Sequence, residues 1–296
     1  MDGARRRKLS RYREDWDWVP PVDPFAKDAG VLRLGAPAEL AVQPLVRGLA
    51  TQDGVALEMG PPAPLAARFE AGLRRGSLAR ASLDCALLPV PDCVRMPLCR
   101  VVPGIGLCSH GMTQTEMLFA KVEPAALSRI AVHPDAGRAC DLAQVVLGDV
   151  FGATPEFIPA APDAFDPGAF DGLVAGGDFV WTHANPYPKA FDLGALWHGL
   201  TGLPLVRMMW VGRFGAPFPR LRALLSRALQ RGLAELDAIA AEAAGNGIID
   251  AAAAASHFSE AVYYTVGGRE MDGVAEFVRR AAKYGLCAPD ATIELC

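Results

Sequence analysis

Several side chains in this sequence have the type and position to handle a small organic acid. Arg138 opens an apolar-periodic stretch, where a guanidinium can clamp a carboxylate through two parallel N–H bonds; the alternative is a solvent-facing arginine in a helix's first turn. Glu39 follows the first strand-like run and offers a carboxylate base, or the more ordinary surface or cap-like acid. His110 and His133 lie at strand-to-loop edges, where an imidazole titrates near neutral pH or donates to an anion, or is simply hydrogen-bonded within its loop. Asp135 reads first as the N-cap of the following helix, and Asp178, after Gly177, as a helix cap or a brace of its loop. The segment Trp181-Thr182-His183-Ala184-Asn185-Pro186-Tyr187-Pro188 can form a lid at a cleft edge or an ordinary surface loop.

Other chemistries find little support. The five histidines show no His-x3-His spacing and no Cys-x2-Cys pair exists, so neither a metal site nor a cofactor is expected. The seven cysteines are odd in number and mostly set in apolar runs, which reads as reduced, buried thiols suited to the cytosol. A formal net charge of −4 argues against a nucleic-acid partner. No run of 18 apolar residues appears, so no membrane span is expected. The basic start Arg5-Arg6-Arg7-Lys8 is followed by mixed charges rather than an apolar stretch, which argues against twin-arginine export and for a cytoplasmic protein. Residues 1–30 read as a loosely ordered extension. Oligomeric state has no signature in the sequence.

The candidate residues need elements to hold them. At 296 residues with 51% hydrophobic content, the chain is long enough for two compact lobes. Strand-like runs at Val31–Gly35, Val55–Met59 and Asp84–Leu88 alternate with a helix through Leu40, Leu45 and Leu49 and another through Leu65, Phe69 and Leu73. This is a βαβαβ half of a doubly wound sheet. Two further strands, Arg100 to Leu107 and Thr115 to Lys121, lead to a second βα series: Arg129–Val132, a helix from Arg138 to Leu147, Glu156–Ile158 and Gly172–Ala175. After a helix over Leu193–Leu200, Leu205–Val211 reads as a strand returning to the first lobe, and the remainder as helical. The expected fold is α/β with two lobes, each a doubly wound mixed sheet: residues 31–123 and 205–296 with the C-terminal helices in the first, 124–204 in the second. A cleft between such lobes is a favoured ligand site.

With the elements placed, the chain resembles the chorismate dehydratase family of menaquinone biosynthesis, over about residues 31–287. Leu32-Arg33-Leu34-Gly35-Ala36 with Gln43-Pro44-Leu45-Val46-Arg47-Gly48-Leu49 is similar to the family's Leu-Arg-Ile-Gly…Arg-Pro-Leu-x-x-Gly-Leu. Ala86-Leu87-Leu88-Pro89, Ser109-His110-Gly111, Leu118-Phe119-Ala120-Lys121 and Gly177-Asp178 follow in the family's order. The most diagnostic stretch is Phe191-Asp192-Leu193-Gly194-x-x-Trp197-x-x-Leu200-Thr201-Gly202-Leu203-Pro204.

The resemblance implies a type II periplasmic-binding-protein-like fold and a carbon–oxygen hydro-lyase of the futalosine route. Such an enzyme removes water from chorismate to give 3-[(1-carboxyvinyl)oxy]benzoate, without metal or redox cofactor. It implies a small anionic substrate bound by loop hydroxyls and amides, with a substrate carboxylate itself taking the proton. Carried over position by position, it makes Ser109, His110, Gly111, Thr115 and Asp178 binding residues. It also marks positions where this chain departs from the family. Ala38-Glu39-Leu40-Ala41 stands for Ser-Tyr-Leu-Asn, Val90 for the serine after the third-strand proline, and Pro134-Asp135-Ala136-Gly137-Arg138-Ala139 for Pro-Ser-Ser-Arg-Thr-Ser. Under this reading Arg138 replaces the missing hydroxyls and Glu39 is an added base. A non-catalytic binding protein for a small carboxylate, or a related enzyme on another anionic intermediate, are the alternatives.

Overall fold

The computed structural model describes residues 30–75, 83–96, 98–136, 138–160, 166–185 and 187–295. Of the expected extension, residues 1–29 lie outside these, as does Gly137. The first half opens as the apolar pattern requires: β1 (Leu32–Pro37), α1 (Gln43–Val46), β2 (Val55–Gly60), α2 (Pro62–Arg75), β3 (Cys85–Pro89), α3 (Val90–Val94) and β4 (Cys99–Ser109). Every residue of β3 is buried, which suits an apolar run in a strand covered on both faces. The helix expected through Leu40, Leu45 and Leu49 is instead broken into a 3-10 turn Leu40–Val42, the four-residue α1, and a 3-10 turn Leu49–Thr51. Pro44 is tolerated in the first turn of α1, while Gly48 at φ 80° turns the chain away from a helical path.

The chain then crosses to β5 (Glu116–Ala120), β6 (Arg129–Val132), α4 (Ala139–Phe151), β7 (Glu156–Pro159), β8 (Gly172–Gly176), α5 (Phe179–Thr182), β9 (Lys189–Asp192) and α6 (Leu193–Thr201). It returns through β10 (Leu205–Arg213), α7 (Phe218–Ala234), α8 (Leu236–Gly245), α9 (Ala251–Ser256), β11 (Tyr263–Val266) and α10 (Gly268–Lys283). Two mixed sheets result, in the orders β11-β4-β10-β3-β1-β2 and β7-β6-β8-β5-β9. The strand β5 pairs antiparallel with β8 and β9, so the second sheet takes in residues ahead of the expected boundary at 124. The chain after Val211 was expected to be helical, yet Tyr263-Tyr264-Thr265-Val266 forms the edge strand β11 against β4. Aromatic and β-branched residues favour that outcome. Among the described residues no helix is long and apolar enough to cross a membrane.

One apolar cluster runs from α2 and β3 of the first half through α10 into α4 and β6 of the second, so the halves share a core. Ionic contacts reinforce this seam. Asp149 of α4 accepts from Lys283 Nζ at 2.6 Å, from Tyr284 Oη at 2.7 Å and from Arg280. Burial alone would raise the Asp149 pKa, but the hydrogen bonds from Lys283, Tyr284 and Arg280 outweigh it and hold the carboxyl at about 2, against an ordinary 3.8. A carboxyl lowered on folding contributes stability that is complete above its unfolded-state pKa and is lost as pH falls through the folded-state one. For Asp149 that window runs from about pH 4 down to about pH 2. Asp149→Asn should therefore lower stability at neutral pH and flatten the acid limb over this window, as read by urea unfolding at stepped pH. An acid limb identical to that of the parent would show that the seam does not depend on this carboxylate.

Candidate functional site

A pocket opens between the two sheets, with about 530 Å³ of empty space counting its open mouth. Its floor is strand β10, of which four consecutive residues, Leu205, Val206, Arg207 and Met208, line it. A regular strand turns alternate side chains to opposite faces. Here the register against β4 shifts between Val206, opposite Cys108, and Met208, opposite Leu107, which leaves Arg207 as the extra residue of a bulge. Bulges re-aim side chains and occur beside active sites.

The Arg207 side chain is only 3% exposed. Its Nε and Nη2 lie 2.9 and 2.8 Å from Glu116 Oε1, and Nη2 lies 4.0 Å from Glu39 Oε2. Neither Nη1 nor Nη2 makes a hydrogen bond, the Nη2 contact with Glu116 being an ion pair. Burial lowers the proton affinity of Arg207, but the Glu116 and Glu39 charges outweigh it and hold the guanidinium above its ordinary value. Burial also pushes the Glu116 carboxyl up, and the Arg207 charge pulls it back only in part. Glu116 comes from the start of β5 and Glu39 from the loop after β1, so this charge cluster joins both halves.

Two glycines give Glu39 and its neighbours room. A Cβ on Gly177, which has φ +61°, would stand 3.1 Å from Glu39 Cδ. A Cβ on Gly176 would stand 2.9 Å from the Ala136 Cα, so the turn Pro134–Ala136 can lie against the end of β8 only with glycine there. Asp178 does not cap the helix α5 that it precedes. Both its oxygens accept from the Leu40 backbone N–H at 3.0 Å, which braces the residue next to Glu39 from the opposite half. Burial raises the Asp178 carboxyl above its ordinary value, with the Leu40 hydrogen bond and the Arg207 charge opposing it.

At the other wall Arg138 Nε donates to Asp92 Oδ1 of α3 at 2.7 Å, and Arg95 Nη2 to Asp141 of α4 at 2.9 Å. Burial raises the Asp92 carboxyl, against the charge and hydrogen bond of Arg138. Apolar residues complete the enclosure: Pro62, Pro89, Val90, Leu142 and Phe277.

Of the residues singled out in the sequence, Glu39, Val90, Ala136, Arg138 and Ala139 line this pocket. The others are placed elsewhere. Ala38 is exposed, and Ala41 is buried with its carbonyl accepting from Tyr264 Oη at 2.9 Å. Ser109 is fully buried beside Leu205, its partner on β10, so it stands next to the wall without lining it. Thr115 is buried and its hydroxyl donates to the Thr113 carbonyl. Gly111 packs its carbonyl toward Gly194. His110 Nε2 meets Glu270 at 2.9 Å and its ring stacks on Tyr263, while His133 stacks on Phe179; both belong to local packing. Arg138 itself, not Asp135, occupies the N-cap position of α4, and Asp135 lies in the preceding 3-10 turn. Gly137 is outside the described residues. Among the described residues, the Trp181–Pro188 segment supplies no lining residue; Trp181 packs edge-on against His257.

Arg207 and Glu116 were missed in the sequence. Their signal was present: a lone arginine within Leu205-Val206-Arg207-Met208-Met209 and a lone glutamate opening Glu116-Met117-Leu118-Phe119. A charge inside an apolar strand must find a partner when buried.

The profile of a family described as menaquinone biosynthesis matches residues 32–283, most of the chain. The chain belongs to that family. Among solved structures, protein AF1704 from Archaeoglobus fulgidus is similar with a TM-score of 0.61 and 16% identity, over 86% of this chain and 98% of that one. The periplasmic aliphatic sulphonate binding protein SsuA from Escherichia coli is similar with a TM-score of 0.57 and 14% identity, over 87% of each chain. The Candida albicans CA3427 gene product, described as having the generic periplasmic binding protein fold, gives 0.54 and 14% identity over 88% of this chain and 92% of that one. At these identities the likeness speaks for fold alone: this menaquinone-biosynthesis family member has the periplasmic-binding-protein-like fold expected from its sequence.

Proposed function

We propose that this menaquinone-biosynthesis family member is a cytoplasmic lyase that removes water from chorismate, with Glu39 as the base. The observation that carries the reading is a pocket between the two sheets whose wall sets the Glu39 carboxylate beside the buried Arg207 guanidinium. Chorismate is a dianion with a ring hydroxyl. The ring proton passes to Glu39, which delivers it to the departing hydroxyl as the ring C–O bond breaks, so that water leaves, Glu39 is restored as a carboxylate, and aromatisation supplies the driving force. A base held against its proton by the pocket contributes typically about 10²–10⁴-fold. Arg138, kept at the pocket wall by Asp92, meets the substrate's second carboxylate.

Purified protein incubated with chorismate should form the aromatic enol ether, followed by absorbance and mass spectrometry. Glu39→Gln should then lower kcat by about 10²-fold or more. Turnover that survives Glu39→Gln would give the base role to a carboxylate of the substrate. Chorismate that raises the unfolding temperature without being consumed would replace the lyase with a binding protein.

A further inference from the structure

We propose that Arg207 is the carboxylate receptor of this pocket, offering Nη1 to one carboxylate of a ligand whose ring body rests on the apolar wall. This rests on the reading that the pocket is the substrate site. Three observations converge on it. Arg207 is the extra residue of the β10 bulge, which turns it toward the pocket. Its side chain is buried, with Nε hydrogen-bonded and Nη2 ion-paired to Glu116 and neither Nη nitrogen making a hydrogen bond. A buried guanidinium left with unsatisfied N–H donors is costly, and a ligand oxygen at Nη1 removes that cost. Pro62, Pro89, Leu142 and Phe277 then surround the ligand with apolar surface, which suits a ring better than a chain of hydroxyls.

The charges around Arg207 decide how a carboxylate is held there. Glu116 faces Arg207, Asp92 faces Arg138 and the Glu39 carboxylate stands 4.0 Å from Nη2, so acids outnumber guanidiniums and the ligand carboxylate is held by its direct contact with Nη1. An arriving carboxylate therefore shares one guanidinium with Glu39 and Glu116. Like charges crowded together raise proton affinity, so ligand binding makes Glu39 a stronger base than it is in the empty pocket.

The test compares benzoate with its neutral analogue benzamide by isothermal titration calorimetry. The parent protein should prefer benzoate. In the Arg207→Gln/Glu116→Gln double variant, which removes both buried charges together, that preference should fall roughly 10- to 100-fold, the range for a hydrogen bond to a charged group. Arg207→Lys keeps a cation for Glu116 but lacks Nη1 and should lose the preference too, which provides a second reading if the double variant does not fold. An undiminished benzoate preference in either folded variant overturns the assignment. Chorismate turnover is measured separately on the parent protein. Turnover with unaltered benzoate preference in the variants removes Arg207 as receptor and keeps the lyase; Arg207-dependent benzoate binding without turnover keeps the receptor and removes the lyase.

Discussion

Glu116→Ala is expected to cost about 3–5 kcal/mol of folding stability, because it strands an almost wholly buried guanidinium. The Arg207 side chain is 3% exposed and its two closest acceptor contacts are both to Glu116 Oε1. Glu39 stands at 4.0 Å and is too distant to take over both N–H groups. Removing the two charges together should be far milder, since a buried pair replaced by well-packed apolar side chains is often neutral or stabilising. Arg207→Met/Glu116→Leu is therefore expected to unfold in urea near the parent's midpoint. A loss below about 1 kcal/mol for Glu116→Ala would mean that water solvates Arg207 in the folded protein. The pair would then be held for what it does in the pocket at little cost to folding.

The second large effect is expected at the seam between the halves. Trp197 of α6 is completely buried, its Nε1 donates to the Pro204 carbonyl at 3.2 Å, and its ring meets Phe277 edge-on with centroids 6.2 Å apart. Pro204 belongs to the second chain crossing, and α10 approaches it so closely that a Cβ on Gly273 would stand 2.2 Å from the Pro204 oxygen. Trp197→Ala should destabilise the protein by about 3–5 kcal/mol, the usual cost of emptying a large aromatic site. Trp197→Phe should recover most of this and leave only the lost indole hydrogen bond, about 1 kcal/mol. Phe277 also lines the pocket, so the alanine variant is expected to bind ligand more weakly even where it remains folded. Equal urea midpoints for Trp197→Ala and the parent would show that the seam does not rest on this ring.

The order of elements was largely legible because it depends on local pattern. The apolar runs at β1, β2 and β3, the glycine that closes β8, and Asp192 at the start of α6 announce themselves within a few residues. Asp192 shows how far a local reading goes and where it stops. Its cap on the Ala195 N–H follows from position, whereas its other hydrogen bonds, to the Thr113 and Gln114 backbone across the first crossing, do not. The same limit explains the broken α1 region and the missed β11. A helical period survives in the pattern even where a proline and a positive-φ glycine interrupt the path, and an edge strand is settled by the neighbour it finds.

Glu39 and Arg138 could be singled out because unusual side chains stand at recognisable positions, and both reach the pocket. Ala41, Thr115 and Gly111 could be marked in the same way, yet the structure sets them behind or beside the wall. What the sequence determined by itself was two sheets' worth of elements, family membership, and the expectation of a cleft between the halves. Only the tertiary structure decided which charges share that site, for Arg207 and Glu116 lie 91 residues apart. A buried charge takes as partner whichever group the approach of two distant strands delivers, and a one-residue bulge determines which face it looks onto.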